Sequence, residues 1–189
     1  MWDAPFLTTD FYHFANWFLI YSVLGWIVES IYMSLCNRKP TNRGFVRGPI
    51  CPIYGVGALA AYFILSPVSG NYVAVYFLGT LMATTLEFIT AHVMLKVFGA
   101  VWWDYKEKPF NYKGIICLES TIAWGFYAVF LFAFLHKAVV RLADSYSMAL
   151  GKILIVAALL YYVSDFVYCI MRARRNEGLD KDGILVKTD

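Results

Sequence analysis

The sequence predicts an all-α, polytopic membrane helix bundle of about five transmembrane helices. Three observations predict it: a strongly apolar composition, five windows long enough to cross a bilayer, and a one-sided placement of lysine and arginine. The 189-residue chain is 60% hydrophobic, 19% aromatic and only 15% charged, with a mean hydropathy of +0.59. Average soluble domains are about 45–50% apolar and about 25% charged. A fold of this size has no interior large enough to hide the excess, so a water-soluble globular protein is excluded. Disorder and a nucleic-acid-binding module are excluded with it, since the net charge is only +3.

A spanning helix needs about 20 mostly apolar residues. The windows fall at Phe14–Leu35, Pro49–Val68, Tyr72–Val97, Gly114–Leu135 and Met148–Met171. Polar or turn-rich breaks separate them at Cys36–Gly48, Ser69–Asn71, Phe98–Lys113 and His136–Ser147. No linker divides the chain, so residues 1–189 read as a single integral membrane domain: a core over 14–135, a fifth helix over 148–171 and a cytoplasmic tail over 172–189. Met1–Asp10 carries Asp3 and Asp10 and no basic residue, unlike the basic start of a signal peptide, so the first span is expected to be retained.

Lysine and arginine mark the cytoplasmic side of membrane proteins. Arg38, Lys39, Arg43 and Arg47 lie in the first break, Lys96, Lys106, Lys108 and Lys113 around the third, and Arg172, Arg174, Arg175, Lys181 and Lys187 in the tail. Lys137, Arg141 and Lys152 lie on the other side. Five spans put the first break, the third break and the C-terminus together, so charge and parity agree on an N-out, C-in arrangement.

Arg47-Gly48-Pro49-Ile50-Cys51-Pro52 matches Lys113-Gly114-Ile115-Ile116-Cys117-Leu118. Each string opens an outgoing helix and follows an ingoing helix that carries a glutamate, Glu29 or Glu87. The expectation is a parallel internal repeat of two helices per unit, an arrangement that occurs in transporters with sites at the repeat interface.

Ionisable groups at bilayer depth cost about 2.5–3.5 kcal/mol on insertion scales and usually face the bundle interior. Glu29, Glu87, Glu119 and Asp165 all lie toward the cytoplasmic ends of their spans, in a layer about 10–15 Å deep at 1.5 Å of rise per residue. The sequence therefore points to a cytoplasm-facing polar cavity lined by carboxylates and arginine. Arg43 and Arg47 supply cations at that level. The glycines and prolines of Asn42–Gly55 make an irregular connector, tolerated at depth only when buried or lining water. Tyr54, Trp103, Asp104, Tyr105 and Asn111 complete the candidate substrate-binding set of Glu29, Asn42, Arg43, Arg47, Glu87 and Glu119. Helix N-termini attract anions, so an anionic small molecule or lipid head group is the expected ligand.

His13, His92 and His136 are scattered and read as structural or interfacial, so no metal site is expected. Cys36, Cys51, Cys117 and Cys169 form no CxxC pair. GxxxxGK[ST], GxSxG and HExxH are absent, so no cofactor is implied and any ATP hydrolysis belongs to a separate subunit.

The blocks Gly25-Trp26…Glu29, Asn42-Arg43-Gly44-Phe45…Gly48-Pro49…Cys51-Pro52-Ile53-Tyr54-Gly55, Leu86-Glu87 and Trp102-Trp103-Asp104-Tyr105…Pro109-Phe110-Asn111…Gly114…Ile116-Cys117-Leu118 resemble the CmpB-type ABC-transporter permease family (ABC-transporter type IV) of bacterial membrane proteins. The resemblance covers Gly25–Gly125. It implies a transporter or permease subunit of the bacterial cytoplasmic (inner) membrane, with a homodimer and a separate ATPase subunit as expected partners. The alternatives are a membrane-embedded enzyme acting on a lipid or polyprenyl-type head group, with a carboxylate such as Glu119 as acid, and a non-catalytic accessory or sensor subunit.

Overall fold

The computed structural model describes residues 2–42, 46–101, 103–174 and 186–187. It is an all-α bundle. Its helices are α1 (Phe11–Asn37), α2 (Pro52–Leu65, ending in a 3-10 turn at Ser66–Val68), α3 (Tyr72–Phe98), α4 (Leu118–Phe130), α5 (His136–Asp144) and α6 (Met148–Arg174). A π turn at Leu131–Leu135 joins α4 to α5 without a break.

Local chemistry sets most helix ends. Asp10 caps α1 by accepting from the backbone N–H of His13 at 2.9 Å, and Asn71 caps α3 by accepting from Val73 and Ala74 at 3.1 Å each. Such caps satisfy N–H groups that have no partner inside the helix. Pro52 is the first residue of α2, where a missing N–H costs nothing. Gly99 ends α3 with φ of 70°, a left-handed turn that glycine adopts freely. Short strand pairs complete the fold: Pro5–Phe6 with Thr9–Asp10, Asn111–Tyr112 with Ile116–Cys117, and Ala100–Val101 with Val186–Lys187.

The helices pack chiefly as two hairpins, α1 on α2 and α3 on α4. Missing side chains allow the close approach. Gly55 of α2 lies against Ser22 and Phe18 of α1, and Gly125 of α4 against Tyr76 and Thr80 of α3. Helix α6 lies along the bundle, with Gly151 near its start against Tyr12 and Tyr161 at its middle against Gly48. Two cores result. Trp17, Tyr21, Leu59, Leu65, Leu131 and Val139 belong to one. Val46, Ala91, Met94, Trp103, Ile115 and Cys169 belong to the other, at the end where the α1–α2 and α3–α4 connectors lie.

Four helical stretches are long and apolar enough to cross a membrane: Phe11–Cys36, Tyr72–Val97, Leu118–Asp144 and Met148–Met171, with a shorter apolar helix at Pro52–Val68. Three boundaries differ from the sequence expectation. The second helix starts at Pro52 rather than Pro49, because Ile50 and Cys51 are spent in a turn in which Cys51 N–H donates to the Ser22 carbonyl at 2.9 Å. The fourth starts at Leu118 rather than Gly114, because Ile116–Cys117 pairs as a strand. The break expected at His136–Ser147 is mostly helix: α5 buries Val139 and Ala143 and exposes Lys137 and Arg141, so only Ser145–Ser147 connects.

Helix lengths create the space for the site. At 1.5 Å per residue, the 27 residues of α1 and of α3 reach about 40 Å each, and the 14 of α2 about 21 Å. Gly25 of α1 meets Tyr54 in the first turn of α2, and α1 then runs on to Asn37. Phe88 of α3 meets Tyr112 just before α4, and α3 runs on to Phe98. Both long helices thus continue about 15–18 Å past the starts of their partners, and the connectors fold back into that recess.

Candidate functional site

The recess is organised around Glu87. This α3 side chain is only 5% exposed. The Tyr105 hydroxyl donates to its Oε1 at 2.9 Å and Trp124 Nε1 donates to its Oε2 at 3.1 Å. The Ser120 hydroxyl, in the first turn of α4, also bears on the carboxylate. Tyr105 comes from the α3–α4 connector and Trp124 from α4, so one hairpin supplies the whole first set of partners. Among the described residues no lysine or arginine pairs with Glu87. Burial, with the Glu87 carboxylate next in effect, pushes the Tyr105 phenol up, which keeps its proton available for donation.

The other hairpin supplies a matching pair. The Tyr54 hydroxyl, from the first turn of α2, donates to Glu29 Oε1 on α1. The Tyr54 and Trp124 rings lie 6.0 Å apart, and the charge of Glu29 bears on both Glu87 and Tyr105. Four of the sequence-predicted residues, Glu29, Tyr54, Glu87 and Tyr105, therefore form one polar network between the hairpins. Hydrogen-bonded burial is what an intramembrane carboxylate requires.

The remaining candidates sit elsewhere. Asn42 accepts from Trp26 Nε1 at 2.6 Å and donates to the Arg47 carbonyl at 2.7 Å, bracing the first connector. The Arg47 guanidinium lies 5.3 Å over the Tyr168 ring on α6, and Gly48 N–H beside it donates to Asp165 at 2.8 Å. Trp103 is buried in the connector-end core and donates to the Ile115 carbonyl at 2.7 Å. Asp104 accepts from Lys106 N–H at 2.8 Å. Asn111 donates to the carbonyls of Lys106 and Lys108 at 3.1 and 2.8 Å and accepts from Gly114 N–H at 3.0 Å. Glu119 is exposed in an ion pair with Lys108 at 2.9 Å. Arg43 and Trp102 lie outside the described residues.

A cavity of about 260 Å³ lies between α2, α3 and α6, lined by Val46, Cys51, Ile53, Thr90, Met94 and Phe166 among others. Its walls are mainly apolar, and Glu29, Glu87, Glu119 and Asp165 are not among its lining residues. Among the described residues no group of three His, Cys, Asp or Glu is arranged to hold a metal ion.

Trp124 and Ser120 escaped the sequence reading. The available signal was Trp124 itself: a tryptophan inside a spanning window carries an N–H that needs an acceptor. His136 likewise gains a role that its sequence position hid. It stacks on Tyr62 at 3.7 Å and its Nδ1 lies 2.7 Å from the Tyr21 hydroxyl, tying α5 to α1 and α2.

A family model described as "Putative ABC-transporter type IV" matches residues 16–170. The chain belongs to this CmpB family. The match spans both hairpins and α6, and with the apolar helices it makes the chain a multi-pass, transporter-like membrane protein. The ABC name also carries the association of such proteins with an ATPase. Among curated proteins and solved structures, none matches this CmpB chain.

Proposed function

We propose that this CmpB-family chain is a transporter or permease subunit whose moving species passes the Glu29–Tyr54 and Glu87–Tyr105–Trp124 network. The observation that carries the reading is Glu87, a carboxylate buried inside an apolar bundle and held, among the described residues, by neutral donors from a connector and a helix. An intramembrane ionisable residue is a functional site by default, because the fold bears its cost. Two such carboxylates in one network suit a proton or a small cation. An anionic ligand would instead look to the basic connectors.

The same geometry supports a parallel repeat. Cys51 and Cys117 occupy the N-cap positions of α2 and α4. Glu29 meets Tyr54, the third residue of α2, and Glu87 meets Ser120, the third residue of α4. The charge pattern supports an N-out, C-in chain in a bacterial inner membrane, and the ABC name of the family supports a separate ATPase chain; a homodimer, which would bring the spans to ten, belongs to the same proposal. The lipid-enzyme reading would use Glu119 as acid, and the exposed Lys108–Glu119 pair offers it no buried proton donor.

The test uses the purified complex in proteoliposomes loaded with a pH-sensitive dye and challenged with a panel of ionic solutes. At least one solute is expected to give a response that falls tenfold or more in Glu87→Gln and in Glu29→Gln. Equal responses from wild type and both variants would show that the network is not on the path.

A further inference from the structure

The α3–α4 connector carries a feature that the polar network does not use. Phe110 is 83% exposed, and Tyr112, two residues on in the strand that follows it, is 51% exposed. Between them Asn111 turns inward and makes the three hydrogen bonds given above. Phe110 has φ of 52° and Lys113 has φ of 53°. That left-handed conformation is an outlier for bulky residues and persists only where surrounding structure over-determines it. Here the surroundings do so: the Asn111 bonds, the Lys106 N–H bond to Asp104, a Tyr105 N–H bond to the Gly114 carbonyl at 2.9 Å and a Leu118 N–H bond to the Phe110 carbonyl at 3.3 Å. The connector spends this strain on holding an aromatic face outward.

The height of that face identifies what covers it. The Leu118–Phe110 bond sets Phe110 level with the first turn of α4, where the apolar span Leu118–Asp144 begins. The Tyr112 ring lies 6.3 Å from the ring of Phe88 on α3, whose neighbour in the helix, Ile89, is exposed. The face therefore continues the lipid-facing side of the bundle at its edge. Cations flank it. Lys106 and Lys113 are exposed, the Lys113 ammonium lies 5.5 Å over the Tyr112 ring, and among the described residues neither lysine is in an ion pair. Lysine stems lie along apolar surface while the charged heads reach polar groups beyond it.

We propose that Phe110, Tyr112, Lys106 and Lys113 form a binding surface for anionic phospholipid of the leaflet at the connector end. The aromatic rings enter the acyl boundary and the two ammonium groups engage the head-group phosphate. The lipid holds the α3–α4 connector, and with it Tyr105, against the bundle. This surface stands apart from the transport reading and is tested without any transport assay.

Native mass spectrometry of the full chain in detergent, titrated with phosphatidylglycerol or with phosphatidylcholine, provides the test. Wild type is expected to retain phosphatidylglycerol several-fold more tightly. Lys106→Gln with Lys113→Gln is expected to weaken that retention about 25-fold, at about fivefold per basic residue near an anionic surface. Lys106→Arg with Lys113→Arg is expected to preserve it, which separates lost charge from misfolding. Phe110→Ser is expected to weaken retention of both lipids. Equal retention of the two lipids by wild type, or unchanged retention in the glutamine pair, overturns the proposal. Phe110→Ser converting a dimer to a monomer with lipid retention intact also overturns it, and assigns the face to a second copy of the chain.

Discussion

Tyr105→Phe isolates one hydrogen bond without changing shape. Its hydroxyl donates to Glu87 at 2.9 Å, and Glu87 is 5% exposed. A hydrogen bond to a charged group is worth about 1.5–3 kcal/mol, whereas interhelical polar bonds in membrane proteins average only about 0.6 and reach about 1.7 kcal/mol. The lower figure describes cases in which the unfolded chain finds other partners in the membrane. Tyr105 sits in a connector, and among the described residues its acceptor keeps the Trp124 N–H and Ser120 when the hydroxyl is removed. The expected cost is therefore near the upper membrane value, about 1.5 kcal/mol. The assay is a double-mutant cycle with Glu87→Leu, read by denaturant unfolding of the purified chain in micelles. Once Glu87 is apolar, Tyr105→Phe removes a hydroxyl that has lost its acceptor, and its effect is expected to be neutral or slightly stabilising. An equal cost in both backgrounds would show that the hydroxyl acts through something other than Glu87, and the network as described would fall.

Two further predictions concern packing and topology. A Cβ on Gly55 would clash with Ser22 Oγ and lie 2.7 Å from the Phe18 carbonyl oxygen, whereas one on Gly70 meets nothing within 4 Å. Gly55→Ala is thus expected to lower unfolding stability by about 1–3 kcal/mol while Gly70→Ala leaves it nearly unchanged, and equal effects would contradict the α1–α2 packing. Cys36 is exposed at the connector end, whereas Cys51, Cys117 and Cys169 are buried. An impermeant thiol reagent is expected to label Cys36 alone in inside-out vesicles and to leave intact cells unlabelled; the reverse pattern would invert the N-out, C-in orientation.

The bundle was legible because spanning helices need long apolar runs, and those runs survive in any tertiary context. Their ends were less legible. Ile115 and Ile116 look like the start of a helix by composition, yet they serve a hairpin and a carbonyl for Trp103. His136–Asp144 looks like a loop because it carries His136, Lys137 and Arg141, yet its amphipathic pattern lets it continue α4 through a π turn. The site shows the same division. Glu29 and Glu87 stood out because charge inside an apolar window is costly wherever it points. Their donors come from residues 18, 25 and 37 positions away, and no local pattern encodes such pairings. Asn42, Asp104 and Asn111 also stood out as polar, but apart from the Trp26 N–H on Asn42 the bonds that brace the connectors are with backbone groups, which sequence leaves unlabelled.

The unequal helix lengths tie these observations together. If α2 and α4 began level with the ends of α1 and α3, Glu29 and Glu87 would face the middle of a neighbouring helix, with few polar donors in reach. Starting them about a dozen residues short leaves room for the connectors to return, and brings Tyr105 to Glu87. It also places each glutamate beside the first turn of the returning helix, through Tyr54 in one hairpin and Ser120 in the other. The start of a helix carries partial positive charge. Each hairpin thus supplies its own anion to the place where the sequence alone invited an external one. A recess already furnished with two carboxylates attracts protons and cations and repels anions, which is why the transport reading centres on a positively charged species and leaves anionic groups to the lysines at the rim.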